Sequence, residues 1–208
     1  MAAAAHLGGA AAHHDDEHHH GPPEANRSSR VDPVMLGMLL FIVSEIMVFG
    51  AFFTAYFFIR VEGGAAWPAE GDHLPKLIAG FNTAILISSS FTLHYAQEAI
   101  RKDNRRGLQL GMLVTFLLGA TFLFIQINEY VHIGFSPQDH AQGTIFYGLT
   151  GLHGAHVTIG LVLLLFVVIR SFRGHFSSGS HLGMEVPGIY WHFVDIMWIV
   201  VYLTVYII

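Results

Sequence analysis

The 208-residue chain has no cysteine, and charged side chains make up only 12% of it. The first absence removes structural disulfides, thiolate metal sites, iron–sulfur clusters and cysteine nucleophiles together. The second, set against 53% hydrophobic residues, leaves too little polar surface for a soluble domain and gives the profile of a polytopic membrane protein. The formal charge is −5 with histidines neutral, and the few basic residues form no patch interleaved with aromatics, so no nucleic-acid partner is expected. The apolar runs do not alternate in the way a transmembrane β-barrel requires. No basic start followed by a short apolar core marks a signal peptide.

The first 30 residues are a separate kind of sequence, small and polar, with six histidines and a Pro-Pro step. They have almost nothing to bury and are expected to form a disordered, His-rich tail. The segment HHDDEHHH could hold Zn²⁺ or Ni²⁺ weakly, but a solvated tail is the reading preferred. Residues 31–208 are expected to form the membrane domain.

Five stretches are long and apolar enough to cross a bilayer, at about 33–59, 77–97, 107–128, 141–169 and 186–208. All must be helices, because an open strand in lipid would leave its backbone groups unpaired. The expected fold is thus an all-α membrane protein. Arg27, Arg30, Arg101, Lys102, Arg105, Arg106, Arg170 and Arg173 fall on one side of this arrangement, whereas only Arg60 and Lys76 fall on the other. That asymmetry places the N-terminus in the cytoplasm and the C-terminus outside.

A few polar side chains lie inside the spans. Glu45 is the one carboxylate of the first, near its midpoint, where a charge is costly by about 3 kcal/mol or more, which makes it a functional-site hypothesis. The second span carries Asn82, Thr83 and Ser88 to Ser90, hydroxyl and amide groups that bond their own backbone or a neighbouring helix. It ends in His94 and Glu98, four residues apart on one face, able to bond each other or a lipid headgroup. Glu129 ends the third span close enough to the surface to reach water, which suggests a structural role. In GLTGLHGAHVTIG, glycines flatten one helix face for close approach. His153 and His156 in that stretch are three apart, a spacing that serves interhelical hydrogen bonding or ligation of one metal ion. His192 and Asp195 lie one turn apart in the fifth span. Matched by depth at about 1.5 Å per residue, Glu45 pairs with His153, and His192 with Asp195.

Four segments carry a resemblance: SEIMVF around Glu45, FNTAILISSS at 81–90, GLHGAHVTIG at 151–160 and GIYWHFVDIMWIVVY at 188–202. With GATFLFIQINEY, FRGHF and HLGMEVP, they make nearly everything after residue 30 similar to subunit III of haem–copper terminal oxidases, the cytochrome c oxidase subunit III family. Many members have seven helices, and this chain resembles the shorter bacterial form that lacks the first two.

The resemblance implies a non-catalytic subunit of a proton-translocating oxidoreductase complex, with no haem, copper or other metal of its own. It would sit in the bacterial plasma membrane, packed against subunit I, which reduces oxygen to water and pumps protons, and near subunit II. A cytochrome bc-type complex could join them in a supercomplex. The family's bundle is V-shaped, with phospholipids in the cleft. The residue matching Glu45 is its carbodiimide-reactive buried carboxylate, and the subunit supports proton uptake and durability. By position, His94, Glu98, His175 and His181 would be lipid headgroup contacts. Quinol-oxidase relatives carry Asp at the Glu45 position, so Glu favours cytochrome c as donor. A proton-coupled transporter, with Glu45, Asp195 and His153 as a relay, is the reading from another class; it would call for repeats with broken helices, which the sequence does not show.

Overall fold

The computed structural model describes residues 32–62, 74–174 and 182–208. The expected tail at 1–30, His175 and His181 lie outside the described residues. Five helices follow one another: α1 (Pro33–Glu62), α2 (Lys76–Arg101), α3 (Arg105–His132), α4 (Ala141–Phe172) and α5 (Leu182–Tyr202). All five expected spans are helices long and apolar enough to cross a membrane, and no strand forms among the described residues. After α5, the chain widens into a π-helical turn at Leu203–Ile207, closed by the Ile208 N–H donating to Leu203 O at 2.9 Å.

The tightest pairing is α2 against α3. Asp103 takes a left-handed backbone conformation (φ 54°), and Asn104 caps α3 by accepting the Gly107 N–H at 3.0 Å. Along the seam the side chains are small enough for backbones to touch: a Cβ added at Gly111 would lie 2.8 Å from that of Ala96. Thr92 and Thr115 share a hydrogen bond of 2.8 Å, and Asn82 donates to Phe122 O at 3.1 Å.

Helices α2, α3, α4 and α5 close into a ring, each touching the next, and α1 packs outside it on α4 and α5. Trp191 of α5 locks the ring. Its six-membered ring lies where a Cβ at Gly119 of α3 would come within 2.5 Å and one at Gly160 of α4 within 2.8 Å, while its indole N–H donates to Ser89 of α2 at 2.9 Å. Trp198, two turns on, donates to Thr83 at 2.9 Å. Each indole thereby buries its apolar body and still pairs its polar edge. Of the glycines in α4, Gly160 and Gly148 receive Trp191 and Phe52, whereas Gly151 and Gly154 face open space. The flat face read from the sequence is therefore used by neighbours only in part.

Every helix is tied to at least two others in one network. Helix α1 is the least embedded. Among its residues only Phe49 and Tyr56 are fully buried, and it is held at two places: the middle, through Glu45, and one end. There Tyr56 donates to Thr204 O at 2.9 Å, and Arg60 donates to Tyr56 and to Ile208 O.

Candidate functional site

The middle of α1 meets α4 at His156. Its Nε2 lies 2.8 Å from Glu45 Oε2 and its Nδ1 2.8 Å from Leu152 O. A backbone carbonyl can only accept, so Nδ1 carries a proton, and the contact between Nε2 and Glu45 holds one further proton. The pair is then either an imidazole beside a carboxylic acid or an imidazolium beside a carboxylate, and it is neutral as a whole in both. Phe49, one turn beyond Glu45, lays its ring 5.1 Å from that of His156, and Phe193 approaches from α5 at 6.3 Å. Tyr190 donates to His156 O at 3.2 Å. Three helices thus converge on one imidazole. The Glu45 side chain is 19% exposed and that of His156 is 9%, so the pair is largely shielded.

The expected pairing of Glu45 with His153 is therefore corrected to His156. His153 points the other way, into the ring. It is fully buried, with its imidazole 4.7 Å from the Trp198 ring and edge-on to Phe122 at 5.8 Å. Neither of its nitrogens has a hydrogen-bond partner among the described residues. The two histidines do not act as a chelating pair, because both ring nitrogens of His156 are engaged by Leu152 and Glu45. No group of three His, Asp or Glu side chains converges as metal ligands would among the described residues.

A second cluster joins α2 to α5. Ser90 Oγ lies 3.1 Å from His192 Nδ1 and donates to Asp195 Oδ2. His192 and Asp195 are thus brought together as expected, but through a serine; among the described residues no hydrogen bond links them directly. A hydroxyl suits this bridge because it accepts from one partner while donating to the other. Asp195 is 4% exposed, and its Oδ1 has no partner among the described residues.

At the opposite end of the bundle, Glu129 is 5% exposed and accepts from Tyr206 at 2.7 Å. The expectation that it reaches water fails: the π-helical turn carries Tyr206 over it. His94 and Glu98 do not pair. Glu98 is held by Arg101 at 3.3 Å and Lys102 at 3.8 Å, and Arg101 also approaches Glu185 at 3.7 Å. These are exposed pairs, worth about 0–1 kcal/mol each. His94 is exposed beside them.

The geometry now has relatives to stand beside. The sequence model described as cytochrome c oxidase subunit III matches residues 11–208. The chain belongs to the cytochrome c oxidase subunit III family. It is 42% identical over 174 residues to the cytochrome c oxidase subunit 3 of Thermostichus vulcanus, covering 83% of this chain and 86% of that protein. To the subunit 3 of Synechocystis it is 45% identical over 175 residues, covering 83% and 75%. The rabbit subunit 3 is 36% identical over 176 residues, with 82% of this chain and 67% of the relative covered. Tyr190, which donates to His156 O, and Tyr206, which donates to Glu129, are participants with no polar signature of their own in the sequence, and Ser90 stands there only as one of several span hydroxyls.

Proposed function

We propose that the chain is the non-redox subunit III of a respiratory cytochrome c oxidase in the bacterial plasma membrane. It stabilises the catalytic subunit I, lies near subunit II, holds phospholipids and supports proton uptake. Haem and copper belong to the partner subunits, where electrons from cytochrome c reduce oxygen to water with proton pumping. The excess of basic residues on one side supports a cytoplasmic N-terminus and an outside C-terminus. A cytochrome bc-type complex is a further partner in a supercomplex.

The observation that carries this role is the Glu45–His156 pair. It puts a carboxyl group at mid-membrane without leaving a net charge, and spends it on joining three helices rather than on a cofactor. Purification in mild detergent tests the proposal: oxidase subunits I and II should co-migrate with this chain, and the spectrum should contain the copper-A signal of a cytochrome c oxidase. A complex with haem but no copper-A signal would assign the subunit to a quinol oxidase instead, and migration without oxidase subunits would refute the role.

A further inference from the structure

Glu129 has a second oxygen to satisfy. Its Oε1 accepts from Tyr206, while its Oε2 is buried with no hydrogen-bond partner among the described residues. One turn earlier on the same buried face of α3, both amide atoms of Gln126 are in the same condition, and so is the Tyr130 hydroxyl. Gln126 is 1% exposed and Glu129 5%, and buried polar atoms left unpaired are costly. The register of the helices gathers these groups. Phe122 of α3 faces His153 of α4, and about two turns on Tyr130 lies 5.0 Å from Tyr147, so the level between belongs to Gln126 and Thr150. The π-helical turn then brings the Tyr206 hydroxyl beside Gln126, Glu129 and Tyr130. Glu129 also lines a cavity of about 300 Å³ at this end of the bundle, between the start of α2 and the last turn of α3.

The unpaired atoms select an occupant by their chemistry. Gln126 Nε2 and the Tyr130 hydroxyl donate, whereas Gln126 Oε1 and Glu129 Oε2 accept. A cation would be met by the two donors, an anion by the carboxylate, and a hydrocarbon would pair with none of the four. A neutral molecule that both donates and accepts suits all of them. Water is the smallest such molecule, and buried waters make about three hydrogen bonds to groups that otherwise have no partner. We propose that Gln126, Glu129 and Tyr130 form a buried water site, supplied through the cavity at Glu129, whose resident water ties α3 to the C-terminal π-helical turn alongside the Tyr206 hydroxyl. The turn is then held over Glu129 by two links, one direct and one through water.

The site is independent of the electron donor and of turnover, so its test and that of the proposed role can fail separately. The intact complex is exposed to X-ray pulses in heavy-oxygen water, and uptake of the heavy isotope by each tyrosine is read by mass spectrometry of its peptides. Tyr206 and Tyr190 are both 1% exposed, which makes Tyr190 the control. Radicals born from a resident water should label Tyr206 several-fold faster than Tyr190. Gln126→Leu removes a donor and an acceptor of the site without touching the bond between Tyr206 and Glu129, and it should lower Tyr206 labelling to the Tyr190 rate. Electron cryo-microscopy of the wild-type complex, at a resolution that shows waters, should place density within hydrogen-bond distance of both Glu129 Oε2 and Gln126. Equal labelling of the two tyrosines in the wild type, or Tyr206 labelling unchanged by Gln126→Leu, would overturn the proposal. So would an image in which Gln126 or Tyr130 bonds Glu129 Oε2 directly with no density between them.

Discussion

Glu45 on α1 and His156 on α4 face each other at 2.8 Å in the middle of the bundle, and a carbonyl on the far side of the imidazole fixes how many protons they share. The acid is thereby converted from an isolated charge into half of a neutral pair. The alternative, an unpaired carboxylate among apolar side chains, would work against insertion and assembly.

Removing one partner should cost more than substituting it with an amide. His156→Leu leaves the Glu45 carboxyl without its partner and strips Phe49 of the ring it covers, a loss of about 1–3 kcal/mol from the unpaired polar group alone. The expected result is a lower thermal midpoint for the assembled complex and earlier proteolytic release of α1. His156→Gln should lie between His156→Leu and the wild type.

Ser90→Ala should affect two side chains at once. Asp195 would lose its hydroxyl donor and His192 the acceptor for Nδ1, with a loss of about 1–3 kcal/mol for the buried acid. Combined with Asp195→Leu, the serine change should have a smaller further effect. A double-mutant cycle on thermal midpoints measures that coupling, and additive losses would refute the bridge.

Trp191 predicts a packing defect with a specific remedy. Gly119→Ala or Gly160→Ala drives a methyl into the indole, and overpacking of this kind costs about 1–3 kcal/mol. Trp191→Phe, whose smaller ring withdraws from both glycines, should restore part of the lost stability in either background, though it forfeits the bond to Ser89. Melting of the single and double variants gives the comparison.

Deleting residues 6–20 should leave assembly and the copper content of the complex unchanged, as metal analysis of the purified oxidase will show. Loss of copper on deletion would give the histidine tail a metal role.

The five spans were legible because a bilayer demands length and apolarity, and hydropathy reports both directly. The need of Glu45 for a partner was legible for the same reason. Its identity was not: depth alone cannot separate His153 from His156, which differ by about 4.5 Å along the helix. Rotation decides, and the rotation of α4 is set by Gly160 lying against Trp191. That fit turns His153 toward Trp198 and Phe122, and His156 toward α1. Ser90 was hidden among serines and threonines that do bond their own backbone, as Ser88 does to Ala84 O at 2.7 Å. The burial of Glu129 depended on a π-helical turn that no periodicity announces.

The most direct test of a supporting role for Glu45 is Glu45→Gln in the assembled oxidase, with oxygen consumption, proton pumping and activity over successive turnovers measured on one preparation. The Gln amide can donate to His156 Nε2, so the complex should assemble and keep most of its oxygen reduction, with any defect confined to pumping efficiency or to durability. Abolished oxygen reduction in a fully assembled complex would contradict the account.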